Sequence, residues 1–329
     1  IWVQVGPAST RVKSITVTPE SGPLASDISI SRFPRQVYAI GTCGESRPPE
    51  FAIRPHSRFL SPRAEVYNEI VFMQIVHDIL ASAPGVSEWS FVALCLLSFL
   101  TSAVSAAFGL GGGAALVAVM ASLMPPISII PVHAVVQVGS NFFRAVMMWR
   151  NILFTWMPPF VAGTVIGAAI GGQIIFALPK YALKAIIGVF VLYAVWGPKM
   201  KAMEPTKLRF GTVGVLASFA TMFAGATGPL IAPFIKASTT NRMMTVATHA
   251  AFMSWQHGVK ILAFGFLGFA FAPYAPLMIL MVLFGVVGTW SGKFILDWMA
   301  ENLFRWGFNL VLTVLAIRLL IEAGLEIAA

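Results

Sequence analysis

"AAFGLGGGAALVAVM", residues 106–120, lies inside an apolar run that begins near Phe91. A glycine in the middle of a helix costs about 1 kcal/mol relative to alanine. This run nevertheless places Gly109, Gly111, Gly112 and Gly113 together. Such a cluster predicts that the helix breaks at this point and leaves backbone groups without intrahelical partners. Broken backbone at membrane depth persists only where it is buried in protein or lines a wet cavity.

The surroundings make membrane depth the relevant setting. The chain has 329 residues, of which 57% are hydrophobic and 11% charged, whereas soluble domains carry about 25% charged residues. The composition predicts an all-α polytopic membrane protein with the lipid bilayer as its first partner. The net charge of +9 comes from basic residues scattered between apolar runs. That pattern sets membrane orientation and does not read as a nucleic-acid surface. The two cysteines, Cys43 and Cys95, suggest neither a disulfide framework nor a metal site. No cofactor motif is present.

Residues 1–72 differ from the rest, with 8 of the 21 prolines, 8 Lys/Arg and 6 Asp/Glu and no sustained periodicity. They read as a disordered or non-native upstream extension, with the protein proper expected to start at Met73. A short segment, 73–90, then leads into the membrane part.

Spans need about 20 apolar residues. Candidates are 131–149, 155–178, 182–197, 243–264, 274–293 and 304–321, with two interrupted stretches at 91–124 and 210–237. The second interruption reads "GATGPLIAP" around Gly225, Thr227 and Gly228. An offset of 116 residues pairs Gly109 with Gly225, Gly112 with Gly228, His133 with His249, Asn141 with His257 and Arg144 with Lys260. With a four-residue insertion, Gly172 then matches Gly292. The expectation is two homologous repeats, 91–197 and 210–321, joined by a basic linker at 198–209 and followed by a tail at 322–329.

Each interrupted stretch is either a full span or a re-entrant hairpin. Eight full spans divide the flanking Lys/Arg six against six. Two hairpins divide them nine against three, with only Lys180, Lys184 and Arg318 on the minority side. By the positive-inside rule the second arrangement puts the linker in the cytoplasm and both chain ends outside. Each repeat is then a glycine-broken helix pair plus three transmembrane helices. An odd number of crossings inverts the second repeat, and transporters built this way bind solute where the broken helices meet.

The residues at the breaks point to an anion. A half-helix that starts at Gly112-Gly113 or Thr227-Gly228 presents free N–H groups and a partial positive charge. No Asp or Glu occurs between Glu88 and Glu204 or between Glu204 and Asp297, while Arg144 and Lys260 occupy equivalent places. Helical spacing puts Asn141 with Arg144, and His257 with Lys260, on one face each. The competing reading has both basic side chains snorkelling to the interface. His133 and His249 suit a helix-end carbonyl or a proton-coupling role. The stretch "GTVIGAAIGG", 163–172, reads as tight helix packing through small residues.

The "GLGGG" break, its weaker copy "GATGP" and the two-fold repeat resemble the TauE/SafE family of sulfite exporters over about 91–321. The resemblance implies a secondary transporter in the inner (plasma) membrane, working as an exporter of small sulfur-containing anions such as sulfite, sulfoacetate or related sulfonates. Two departures fall in the inferred site: "AALVAVM" replaces a proline-bearing stretch, and the second cluster has Thr227 and Pro229 in place of its triple glycine. Other classes compatible with the sequence are an anion channel and a carrier for another small solute. A membrane-embedded enzyme lacks support, because the chain has no HExxH, no paired intramembrane Asp and no nucleophile signature.

Overall fold

The computed structural model describes residues 62–108, 111–175, 177–198, 204–295 and 301–328. Residues 1–61 of the expected extension, Gly109 of the glycine cluster and residues 199–203 of the linker lie outside the described residues. The helices are α1 (Pro62–Leu80), α2 (Glu88–Phe108), α3 (Gly112–Leu123), α4 (Pro126–Met147), α5 (Met157–Ile175), α6 (Lys180–Trp196), α7 (Lys207–Ala224), α8 (Gly228–Ser238), α9 (Arg242–Phe266), α10 (Ala275–Ile295) and α11 (Glu301–Ala328). No strand occurs among the described residues.

Both helix breaks occur where the glycines predict them, and for a local reason. Gly111 (φ 101°) precedes α3 and Gly225 (φ 80°) ends α7. Side-chain-bearing residues rarely adopt such a backbone, and glycine does so freely. Pro229 then opens α8, at a position where its missing N–H would have had no helical partner. Thr206 caps α7 by accepting from the Arg209 N–H (3.2 Å), and Asn241 caps α9 by accepting from Met244 N–H (2.9 Å).

Among the described residues, four stretches are long and apolar enough to cross a bilayer: Glu88–Ala107, Pro126–Met147, Phe154–Ile175 and Ala272–Gly292. Three of them fall on expected spans, and the first lies in an interrupted stretch. At 1.5 Å per residue, the 21 residues of α2 extend about 30 Å, a full hydrocarbon core, while the 12 of α3 reach only about half-way. α9 has 25 residues, but it carries His249, Gln256, His257 and Lys260, all buried.

α3 returns along α2. Gly112 lies against the Thr101 carbonyl and the Ser105 hydroxyl, while Pro125, just past α3, lies against Gly85, just before α2. Similarly, Phe234 and Ile235 near the end of α8 share a core cluster with Phe210 near the start of α7. α5 packs on α7 through glycines: Gly163 faces the Gly211 carbonyl and Gly167 the Val215 carbonyl. α10 packs on α2 in the same way, Gly288 facing the Phe99 carbonyl and Gly292 the Ala103 carbonyl. α4 packs on α9 and α6 on α11.

Polarity is arranged as lipid demands. Exposed faces are apolar, as in Val165, Ile166, Ile170 and Ile174 of α5 or Ile279, Leu283 and Val287 of α10. The buried set includes His133, Arg144, His257 and Lys260, which is where ionisable groups of a membrane protein belong.

Helices run across three of the expected boundaries. The division at 72/73 falls inside α1, which runs unbroken from Pro62 to Leu80. Its only proline stands at the first helical position, where it starts a helix instead of stopping one. α2 begins at Glu88, inside the expected leader 73–90. The tail 322–329 is helical through Ala328, because Glu322 and Glu326 of α11 both accept from Lys184 of α6.

Candidate functional site

α4 and α9 cross the interior next to the two breaks. Along α4, His133, Gln137, Asn141 and Arg144 recur every three or four residues and form one buried polar face. Asn141 Nδ2 donates to the Gln137 carbonyl (2.8 Å) and to Gln137 Oε1 (3.1 Å). Along α9, His249, Gln256, His257 and Lys260 form the matching face. The His133 and His257 rings meet edge to face, with centroids 5.5 Å apart.

Each of the paired histidines holds the first turn of a half-helix. His133 Nε2 lies 3.0 Å from the Gly113 carbonyl oxygen, and His249 Nε2 lies 3.4 Å from that of Gly228. A carbonyl only accepts, so a bond to it needs the proton on Nε2; His133 Nε2 also lies 3.2 Å from the Gln137 side-chain amide nitrogen, which calls for the other tautomer. The Nδ1 atoms of both paired histidines, and that of His257, are buried with no hydrogen-bond partner.

Between the two breaks lies a cavity of about 40 Å³. Gly111, Gly113, Gly228, Asn141, Arg144, His249 and His257 line it, as do Ser105, Gln137, Pro229 and Met253. Seven of the sequence-predicted residues thus converge on one space, from segments more than a hundred residues apart. A larger cavity of about 230 Å³ at the ends of α4, α5, α6 and α9 is lined by apolar side chains with Lys180 as its one charged group. It offers far less polar chemistry.

Five of the other predicted residues do not line the small cavity: His133, which is held on Gly113, and the four that follow. Gly112 is buried against α2, where a Cβ would collide with the Thr101 carbonyl; it packs helices. Gly225 supplies the left-handed turn and a carbonyl oxygen that accepts from Lys260. Thr227 donates to Gln256 Oε1 (3.2 Å). Lys260 is fully buried with its Nζ on the Thr221 carbonyl (3.3 Å), Thr221 Oγ1 (3.0 Å) and the Gly225 carbonyl (2.8 Å). A lysine ammonium has three donors, so none remains for a solute.

Arg144, which stands 116 residues before Lys260, is different. It is 4% exposed, and its Nε and Nη2 have no hydrogen-bond partner. Neither basic residue snorkels. The sequence reading missed Gln137, although its spacing of four from both His133 and Asn141 was a usable signal. It also missed Ser105, Met253 and the role of Thr221, which no local pattern announces.

The arrangement suits a small anion: a buried guanidinium with two unpaired N–H groups, an amide, and the glycine-lined starts of two half-helices. In comparisons with known proteins, the family model described as "Sulfite exporter TauE/SafE" matches residues 94–319, well over half of the chain. No curated protein matches the chain, and no solved structure does.

Proposed function

The chain belongs to the TauE/SafE sulfite exporter family, a family of membrane transporters of sulfur anions, and from that premise we propose that it exports sulfite across the inner membrane through the cavity at Arg144. The observation that carries this reading is the Arg144 guanidinium, buried at the cavity with two unpartnered nitrogens, Nε and Nη2. No carboxylate occurs between Glu88 and Glu204 to neutralise it from its own repeat, and none between Glu204 and Asp297 from the other. An unpaired buried cation is costly, and a bound anion removes that cost. Asn141, His249 and His257 complete the walls.

The volume favours the smallest substrate. A water takes roughly 10–15 Å³ of such space, so about 40 Å³ admits about three. Sulfite, with four heavy atoms, approaches that size, and sulfoacetate exceeds it. The repeat supports a rocking mechanism in which one half moves against the other around a fixed site. Corresponding contacts between the halves favour that repeat: Gly167 of the first on Val215 of the second answers Gly288 of the second on Phe99 of the first, and Gly171 on Phe219 answers Gly292 on Ala103. Both give an offset of 116 for the partner helix. The glycine pairing is Gly171 with Gly292, one residue from the expected Gly172.

The test is flux of radiolabelled sulfite in proteoliposomes of the purified protein, with unlabelled sulfate and sulfoacetate as competitors. Saturable sulfite flux with weak competition by sulfoacetate is expected. Sulfite flux equal to that of protein-free vesicles would end this reading.

A further inference from the structure

We propose that Lys260 is a resident cation of the transporter, occupying with its ammonium the seat that a coupling sodium ion would otherwise take at the broken end of α7. The inference rests on the transport reading above and extends it to the driving ion.

The seat is made by the break itself. α7 stops at Ala224, and Gly225 turns the backbone into the left-handed region. A helix that ends inside the protein leaves carbonyl oxygens unpaired and a partial negative charge at its C-terminus. Here the Thr221 carbonyl, the Thr221 hydroxyl and the Gly225 carbonyl converge on one point, and Lys260 Nζ stands 2.8–3.3 Å from all three. Thr221 Oγ1 donates its own proton to the Gly225 carbonyl (3.0 Å), which leaves its lone pairs turned to the ammonium. No carboxylate between Glu204 and Asp297 competes for this charge. In transporters with broken helices, unwound carbonyls and half-helix C-terminal ends are the groups that coordinate sodium.

The other break is handled in the same manner by a different residue. Arg242, at the start of α9, donates through Nη2 to the Ala107 carbonyl near the end of α2. Both broken ends therefore have a tethered cation supplied by α9. Arg144 is left for the solute.

It follows that the transport cycle needs no sodium. Purified parent protein should carry sulfite at the same rate, within about twofold, when sodium is replaced by choline on both sides. A tenfold loss of flux in choline would overturn the proposal. In Lys260→Ala the three oxygens are vacated, so this variant should acquire a sodium requirement that the parent lacks. Its thermal midpoint, measured without any anionic substrate, should be roughly 2–4 °C higher in sodium chloride than in choline chloride at equal ionic strength, with no difference for the parent. Equal midpoints for Lys260→Ala in the two salts would show that the oxygens do not form a cation seat. That arm is independent of the transported anion, so it stands or falls separately from the sulfite reading. The flux arm uses only the parent, so it remains informative should Lys260→Ala not fold.

Discussion

Arg144 and Lys260 occupy matching places in the expected repeats and do opposite work. Arg144 faces a cavity with two N–H groups open, whereas Lys260 is tied to the end of α7. Their substitutions should therefore differ in kind. Arg144→Gln removes charge-assisted hydrogen bonds worth about 1.5–3 kcal/mol, so the half-saturating sulfite concentration should rise roughly 10- to 150-fold while the folded yield holds. Lys260→Gln leaves the α7 carbonyls poorly served and should lower the thermal midpoint. Unchanged sulfite affinity in Arg144→Gln, read from the concentration dependence of flux, would remove Arg144 from the site. The glycines separate likewise. A Cβ on Gly112 would run into the Thr101 backbone, so Gly112→Ala should reduce folded protein. The nearest atoms to a Cβ on Gly228 are side-chain atoms, the His249 ring at 3.2–3.3 Å and Met253 Sδ at 3.8 Å. Gly228→Ala should fold, displace His249 by a few tenths of an ångström and lower flux; size-exclusion profiles alongside flux distinguish the two outcomes.

At the level of elements, the glycine-lined contacts of α5 with α7 and of α10 with α2 set how closely the helices approach. Gly167 and Gly288 each face a backbone carbonyl across the contact, whereas a Cβ on Gly258 in α9 would meet nothing within 4 Å. Overpacking a close contact costs about 1–3 kcal/mol. Gly167→Leu and Gly288→Leu are expected to lower the thermal midpoint of the purified protein by several degrees, and Gly258→Leu to leave it unchanged or slightly raised. Equal behaviour of all three would mean that these contacts do not hold the helices together. The half-helices depend on this frame: α3 is buried through Ala114–Ala118, so its free backbone ends meet protein and the cavity, not lipid.

For the whole molecule, the hairpin arrangement makes a definite claim about sidedness. Gly85 and Pro125 are in contact, so the α2–α3 pair enters and leaves at one end. Lys184 near the start of α6 bonds Glu322 and Glu326 near the end of α11. With the nine-to-three division of basic residues, the linker 198–209 is expected in the cytoplasm and the C-terminus outside. A C-terminal reporter that is active only in the cytoplasm should be silent, and activity there would reverse the inverted arrangement. Truncation at Met73 removes the first half of α1, whose described side chains Ile70 and Phe72 are more than 60% exposed. Insertion and flux should survive it, and loss of folded protein would assign α1 a structural role.

What the sequence by itself determined were the features that depend on neighbouring residues. Apolar runs became helices, and the glycine clusters became breaks, because φ values of 101° at Gly111 and 80° at Gly225 are a local property of glycine. The polar faces of α4 and α9 followed from helical spacing alone. The end of the upstream segment did not, since composition changes gradually where α1 does not. Only the tertiary structure decided what each marked residue does. Gly112 and Gly113 are adjacent and chemically identical, yet one is wedged against α2 and the other lines the cavity. Arg144 and Lys260 are interchangeable by position and sign until the carbonyls of Thr221 and Gly225 arrive within hydrogen-bonding distance of one of them. A hydrogen bond is made or lost over about half an ångström, and sequence spacing does not specify distances of that size between helices more than thirty residues apart.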